Sequence, residues 1–148
     1  MPRFSANLSY RCLHNFHIHM AHDILFENNV CAYAGKTQVM VARNCKDISF
    51  ERNVYLCEEE PVYSEGAQIG GGQVGRAGAN LYYTRAAERP AQGKSTWEQW
   101  AAAGYDKTSV FADPRFADPG SDDFRLRPES PAYALGFKDL DLSRVPEE

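Results

Sequence analysis

No run of about 18 apolar residues occurs in this 148-residue chain, so no segment reads as a membrane-crossing helix and no membrane partner is expected. The opening stretch, MPRFSANLSYRCLHNFHIHM, lacks the apolar core of a secretory leader. Basic residues do not predominate: 16 Lys and Arg against 20 Asp and Glu leave a net charge of −4, which argues against a nucleic-acid partner. Cys12, Cys31, Cys45 and Cys57 never fall in a CxxC pair, so they read as free thiols and not as a zinc cage. Neither a metal nor a cofactor is expected. What is present is the length of one ordinary domain, 43% hydrophobic residues, and a supply of Tyr and Phe. A chain of this size buries roughly 70% of its unfolded surface, so it can build a real core.

The strongest signal is a sentence written twice. HDILFENNVCA (22–32) returns 24 residues later as KDISFERNVYL (46–56), with Asp, Ile, Phe, Glu, Asn and Val in the same order. Within each copy Ile and Phe alternate with polar residues: Ile24 and Phe26, then Ile48 and Phe50. Period two predicts strands. Upstream, Phe16, Ile18 and Met20 alternate with His17 and His19. At the same 24-residue offset Met40 and Ala42 alternate with Val41 and Arg43. A repeat of 20–30 residues made of short strands predicts a solenoid, and the leucine spacing of a leucine-rich repeat is missing. The expected fold class is therefore all-β, a right-handed parallel β-helix of about three rungs. In it Ile24 stacks on Ile48, Phe26 on Phe50 and Val30 on Val54, and Asn29 over Asn53 forms an amide ladder at a corner.

Residues 1–63 are assigned to the rungs. Residues 64–94 hold a Gly-rich excursion (SEGAQIGGGQVGRAGA) and a return strand, NLYYTRA. Residues 95–148 hold a short helix in STWEQWAAAG and a turn-rich tail, the two together forming a C-terminal cap of the same domain. For the helix, Ser95 and Glu98 have capping-box spacing, Trp97 and Trp100 share a face, and Gly104 suits the left-handed C-terminal position. At the N-terminus no cap is visible. Three rungs stand only ~15 Å tall, so the chain is expected to be the C-terminal fragment of a longer helix, or to hide the strand edge of its first rung in a homo-oligomer.

The tail TSVFADPRFADPGSDDFRLRPESPAYALGFKDLDLSRV (108–145), with its paired Asp-Pro, DFRL, SPA and GFK, resembles the C-terminal signature of bacterial pectate-lyase-like parallel β-helix proteins. In particular it is similar to the glycoside hydrolase family of α-L-fucosidases and xylanases. NFHIHMAHDILFENNVCAYAGKTQVMVAR resembles that family's His-rich rung, and NLYY its return strand. The resemblance implies a carbohydrate-active enzyme working on a polysaccharide or oligosaccharide, in an extracellular or periplasmic place. It also implies an acidic residue at the position of Glu58. The chain departs from the family pattern at Met20 and Ala21, where Tyr-Gly is usual, and at Val41, where Arg is usual.

Candidate chemistry gathers at three places. His17 and His19 point to the same side of their strand, and Arg43 of the next rung falls in register with His19, with Gln38 nearby. That face is a candidate for catalysis by the imidazoles and substrate binding by Gln38 and Arg43; half-exposed histidines on an ordinary strand fit the same pattern. Stacking also pairs Asp23 with Asp47 and Glu27 with Glu51, and two carboxylates are what glycoside hydrolysis needs, although such ladders are also common surface decoration. Glu58 is the preferred catalytic carboxylate, while Glu60 is expected to pair with Lys36. His14, His17, His19 and His22 lack a matching third ligand for a metal. Gly70, Gly72 and Gly75, GKST (93–96) and the acidic turn DPGSDD (118–123) read as loops, and Trp97 and Trp100 as core. A uronate-specific polysaccharide lyase and a non-catalytic glycan-binding or structural segment remain as alternatives.

Overall fold

The computed structural model describes residues 2–64 and 66–142. Each coil runs through three strands separated by bends. Strands β1 (Arg3–Ser5), β4 (His22–Glu27), β7 (Lys46–Glu51) and β9 (Val74–Gly78) stack in parallel as one four-stranded sheet. Strands β2 (Leu8–Tyr10), β5 (Val30–Ala32), β8 (Val54–Cys57), β10 (Leu81–Thr84) and β11 (Val110–Phe111) form a second sheet of five. Strands β3 (His14–Ile18) and β6 (Thr37–Val41) begin a third wall. It continues through Tyr63, bridged to Val39, and through the N–H groups of Val62 and Tyr63, which donate to Ala91 and Gln92. The result is a parallel β-solenoid of about three turns.

The stacking expected from the repeat is observed: Ile24 lies on Ile48, Phe26 on Phe50, Glu27 on Glu51 and Val30 on Val54. The third wall is displaced by one residue from that expectation. His17 lies beside Met40 and Ile18 beside Val41, so Val41 points inward and Met40 outward. The coil returns to register at His22–Lys46 only after an extra residue in the Arg43–Asn44 turn. Coil length also grows along the second sheet, 22 residues from Leu8 to Val30, 24 from Val30 to Val54 and 27 from Val54 to Leu81. That drift is why only two copies are visible as a repeat. The Gly-rich excursion, read as a loop, contains β9. Its small residues carry no alternation, and a register shift between Ile48 and Phe50 accommodates it.

At the bend between the first two sheets, an asparagine recurs in every coil. Asn7, Asn29, Asn53 and Asn80 form a ladder in which the side-chain oxygens of Asn29, Asn53 and Asn80 accept the backbone and amide N–H groups of the asparagine one rung earlier at 2.9–3.2 Å. The amides of Asn29, Asn53 and Asn80 also donate to the carbonyls of Phe4, Phe26 and Phe50. Before each asparagine stands a left-handed residue, Ala6, Asn28, Arg52 or Ala79, with φ between 54° and 58°. The ladder satisfies the buried backbone groups that such a bend would otherwise strand.

Two cores follow. Inside the coil lie Phe26, Phe50, Val39, Val41, Tyr55, Tyr63 and Tyr82. Outside the second sheet, Val30, Ala32, Val54, Leu56 and Leu81 meet Phe116, Phe124, Ala132 and Phe137 of the tail. A sheet buried on both faces reads as a continuous apolar run, as VYLC and LYYT do. The expected cap therefore divides. Helix α1 (Trp97–Ala102) closes the end of the coil, with Trp97 against Tyr82 and Trp100 against Tyr63. The tail, including the hairpin β12 (Phe116–Asp118) and β13 (Asp123–Leu126), lies along the flank instead, because the second sheet's outer face is apolar and needs cover. Thr96 and Gln99, one residue on from Ser95 and Glu98, form the capping box. Gly104 is left-handed as expected, at φ 101°.

Candidate functional site

Each pass enters the third wall through a corner where the chain leaves the second sheet. At that corner the turns after β5, β8 and β10 stack one above another: Tyr33–Lys36, Glu58–Pro61 and Arg85–Ala86. Between them opens a cleft of about 910 Å³, lined among others by Tyr33, Lys36, Glu58, Glu59, Glu60 and Arg85. Glu60 forms its buried floor. One carboxylate oxygen accepts the Ala34 N–H at 2.6 Å and the Gln38 amide at 2.9 Å, and the other accepts the Glu58 N–H at 2.6 Å. Three donors fix the turn that carries Glu58 and Glu59, whose side chains are exposed to the cleft. The expected pairing of Glu60 with Lys36 is replaced by these bonds, because the carboxylate points inward toward otherwise unpaired amides.

Gln38 was expected to touch a ligand. It is enclosed at 0% exposure and holds the corner together, accepting from the Asn15 amide at 2.6 Å and donating to Leu56 and Glu60 at 2.9 Å. Beside it, burial and then the Glu60 carboxylate push the Cys57 thiol well above its ordinary range, which leaves it neutral and unreactive. Asn15, Gln38 and Glu60 are thus a second polar ladder. Its signal was available in the sequence only at the 23-residue offset of the third wall, as Asn-Phe in one coil and Gln-Val in the next.

His17 and His19 are exposed, their rings 5.9 Å apart at 63°. They line a small hollow of about 150 Å³ at the open N-terminal end, with Phe4, Phe16, Ile24 and Phe26. That hollow shares no lining residue with the Glu58 cleft, so the five expected site residues do not converge. Arg43 does not stack on His19. The one-residue displacement puts it in the turn, where its carbonyl accepts from Gln73, and Asn44 approaches the His19 Nε2 at 3.4 Å instead. His14 is bonded to Thr37 at 2.6 Å, and burial, helped by Lys36 and His17, pushes its pKa down.

Of the two carboxylate pairs, the glutamates are accounted for by cations. Glu27 and Glu51, stacked as expected, are bridged by Arg52 and flanked by Arg3 and Arg76. Asp23 and Asp47 are both left-handed at φ 54°, and Asp23 sits beside His22. In the acidic turn, Asp122 pairs with Arg11 at 2.7 Å and Asp123 with Arg125 at 2.6 Å. Arg11 also lies over the Tyr33 ring at 4.8 Å, so the tail is tied to the edge of the cleft. Burial pushes the Tyr33 hydroxyl up, keeping it a neutral hydrogen-bonding group.

A second lobe of about 370 Å³ adjoins the cleft and shares Tyr33, Leu56 and Arg85 with it. Its remaining wall comes from Tyr83 and the tail, through Asp113, Arg115, Phe116, Pro119, Arg127 and Glu129. Sequence reasoning gave no site role to Tyr33, Lys36, Arg85 or the tail arginines, because nothing in the local sequence around each one signals that the fold brings them to one cleft. No protein-family model, no curated protein and no solved structure matches the chain.

Proposed function

We propose that the chain is a carbohydrate-active β-solenoid protein that holds a polysaccharide in the Tyr33–Glu58–Arg85 cleft. The observation that carries this reading is the cleft itself. One open space presents two exposed carboxylates, an aromatic ring and two cations, on turns tied together by the buried Glu60 and by the Thr84 hydroxyl, which donates to the Glu58 carbonyl. Sugars are bound by such mixtures, with hydroxyls paired to charged groups and a ring face against an aromatic. Glu58, with no side-chain partner of its own among the described residues, acts as the proton donor or acceptor for the glycosidic oxygen, with Glu59 beside it as the second carboxylate. His17 and His19, on a separate hollow, are not needed for this chemistry.

The test is binding and turnover on xylan, fucosides and uronans with the wild-type chain and with Glu58→Gln. Loss of reducing-sugar release with binding retained supports the hydrolase reading, with the expected drop at least about 100-fold. Lys36 and Arg85 favour one second reading, a lyase that neutralises a uronate carboxylate. Under that reading the product is unsaturated and absorbs in the ultraviolet. No binding to any glycan removes both.

A further inference from the structure

The cleft does not end at Arg85. Arg85 lines both lobes, and the second lobe gathers two more arginines, Arg115 and Arg127. Their disposition is specific. Arg115 takes a left-handed conformation, φ 60°, that side-chain-bearing residues rarely adopt. It is held there from both sides: Asp113 Oδ1 accepts its N–H at 2.8 Å, and its carbonyl accepts the Arg127 N–H at 2.9 Å. Asp113 is therefore engaged with the turn backbone. Arg127 uses one Nη2 donor on the Ala117 carbonyl at 2.9 Å, which leaves the rest of its fork available. Neither Arg85 nor Arg115 has a side-chain ion pair among the described residues, and Glu129 is an exposed residue of the wall. Tyr33 and Tyr83 supply aromatic surface in the same lobe.

We propose that this tail-built lobe is an anion-recognising subsite of the same groove, taking a carboxylate or sulfate group on a sugar whose neighbours lie in the Glu58 cleft. The inference rests on the reading of that cleft as a glycan site. Arg85 stands at the junction and bridges the two subsites, while Arg115 and Arg127 confer the preference for charge. Planar guanidinium forks match both anions, and three around one lobe bind an anionic group more strongly than a hydroxyl. The tail is then a recognition element as well as a cover for the second sheet.

The experiment is calorimetric titration of the full chain with xylo-oligosaccharides, oligogalacturonates (carboxylate only) and sulfated galactan oligosaccharides (sulfate only) of equal length, repeated with Arg115→Ala, Arg127→Ala and Arg115→Lys. At least one acidic series is expected to bind about tenfold or more tightly than the neutral one, the scale of one charge-assisted pair. Which acidic series wins identifies carboxylate or sulfate. Both alanine variants are expected to erase that margin while leaving neutral binding in place, Arg115→Lys to keep part of it, and added salt to shrink it. Equal affinity for neutral and acidic chains, or a margin that survives both alanine substitutions, overturns the subsite and leaves the glycan reading standing. Failure of every series to bind overturns both. Circular dichroism on each variant separates lost recognition from lost folding, which matters because the two arginines are backbone partners beside one hairpin.

Discussion

At the C-terminal end of the solenoid, the asparagine ladder stops on Asp106. Its carboxylate accepts from the Asn80 amide at 3.0 Å, the Tyr82 hydroxyl at 2.9 Å, the Trp100 indole at 2.8 Å and the Ser109 hydroxyl. Trp97 and Trp100 then cover the aromatic column of the coil. At the N-terminal end the same ladder stops on Asn7, an exposed residue, and the same column stops on Phe4, which is 50% exposed above the nearly enclosed Phe26. Leu13 and Met20 are exposed there too, at 59% and 72%. The contrast teaches what a solenoid requires. Stacking satisfies a coil only on the side where another coil or a cap is present, so identical residues are core in the middle and surface at an open end.

Truncating the cap at its centre should have the largest effect. Trp100→Ala removes a fully buried indole and one donor to Asp106, and a loss of about 3–5 kcal/mol in denaturant unfolding is expected. Phe4→Ala, at the opposite end, should cost under about 1 kcal/mol. Equal losses would mean that the two ends are equally covered in solution. In the ladder, Asn53→Ala strands the Asn29 N–H and the Phe26 carbonyl inside the protein and should cost roughly 2–3 kcal/mol. Asn7→Ala keeps the backbone N–H that donates to Asn29 and gives up only one side-chain amide donor at the exposed end, and under about 1 kcal/mol is expected. The smallest effect in energy concerns association. A second copy laid edge to edge would cover β1, Phe4 and the hollow beside His17, so mass by light scattering should rise with concentration. A lysine in place of Phe4 should suppress that rise, and a monomer at every concentration would remove the edge pairing.

The fold was largely legible because its determinant is local and periodic. Ile24, Phe26, Ile48 and Phe50 declare strands by alternation, and their exact repetition with Asn29 and Asn53 declares stacking and a ladder. The site was much less legible. Register on the third wall depends on one extra residue in the Arg43–Asn44 turn, which periodicity in the neighbouring strands cannot report. That single slip turned Val41 inward and took Arg43 away from His19. Gln38 looked available because polar residues on strands usually face water, yet Asn15, Leu56 and Glu60 enclose it.

By itself, then, the sequence determined the all-β solenoid, the stacked pairs, the asparagine corner and the buried face of the capping helix. These follow from residue spacing and from the need of each strand to pair. Only the tertiary structure decided that the tail lies along the flank and not over the end, that Glu58 and Arg85 meet in one cleft while His17 and His19 stand apart, and that tail arginines extend that cleft. Those relations join turns far apart in the chain, and they are set by which apolar face is left uncovered and how each corner closes its hydrogen bonds.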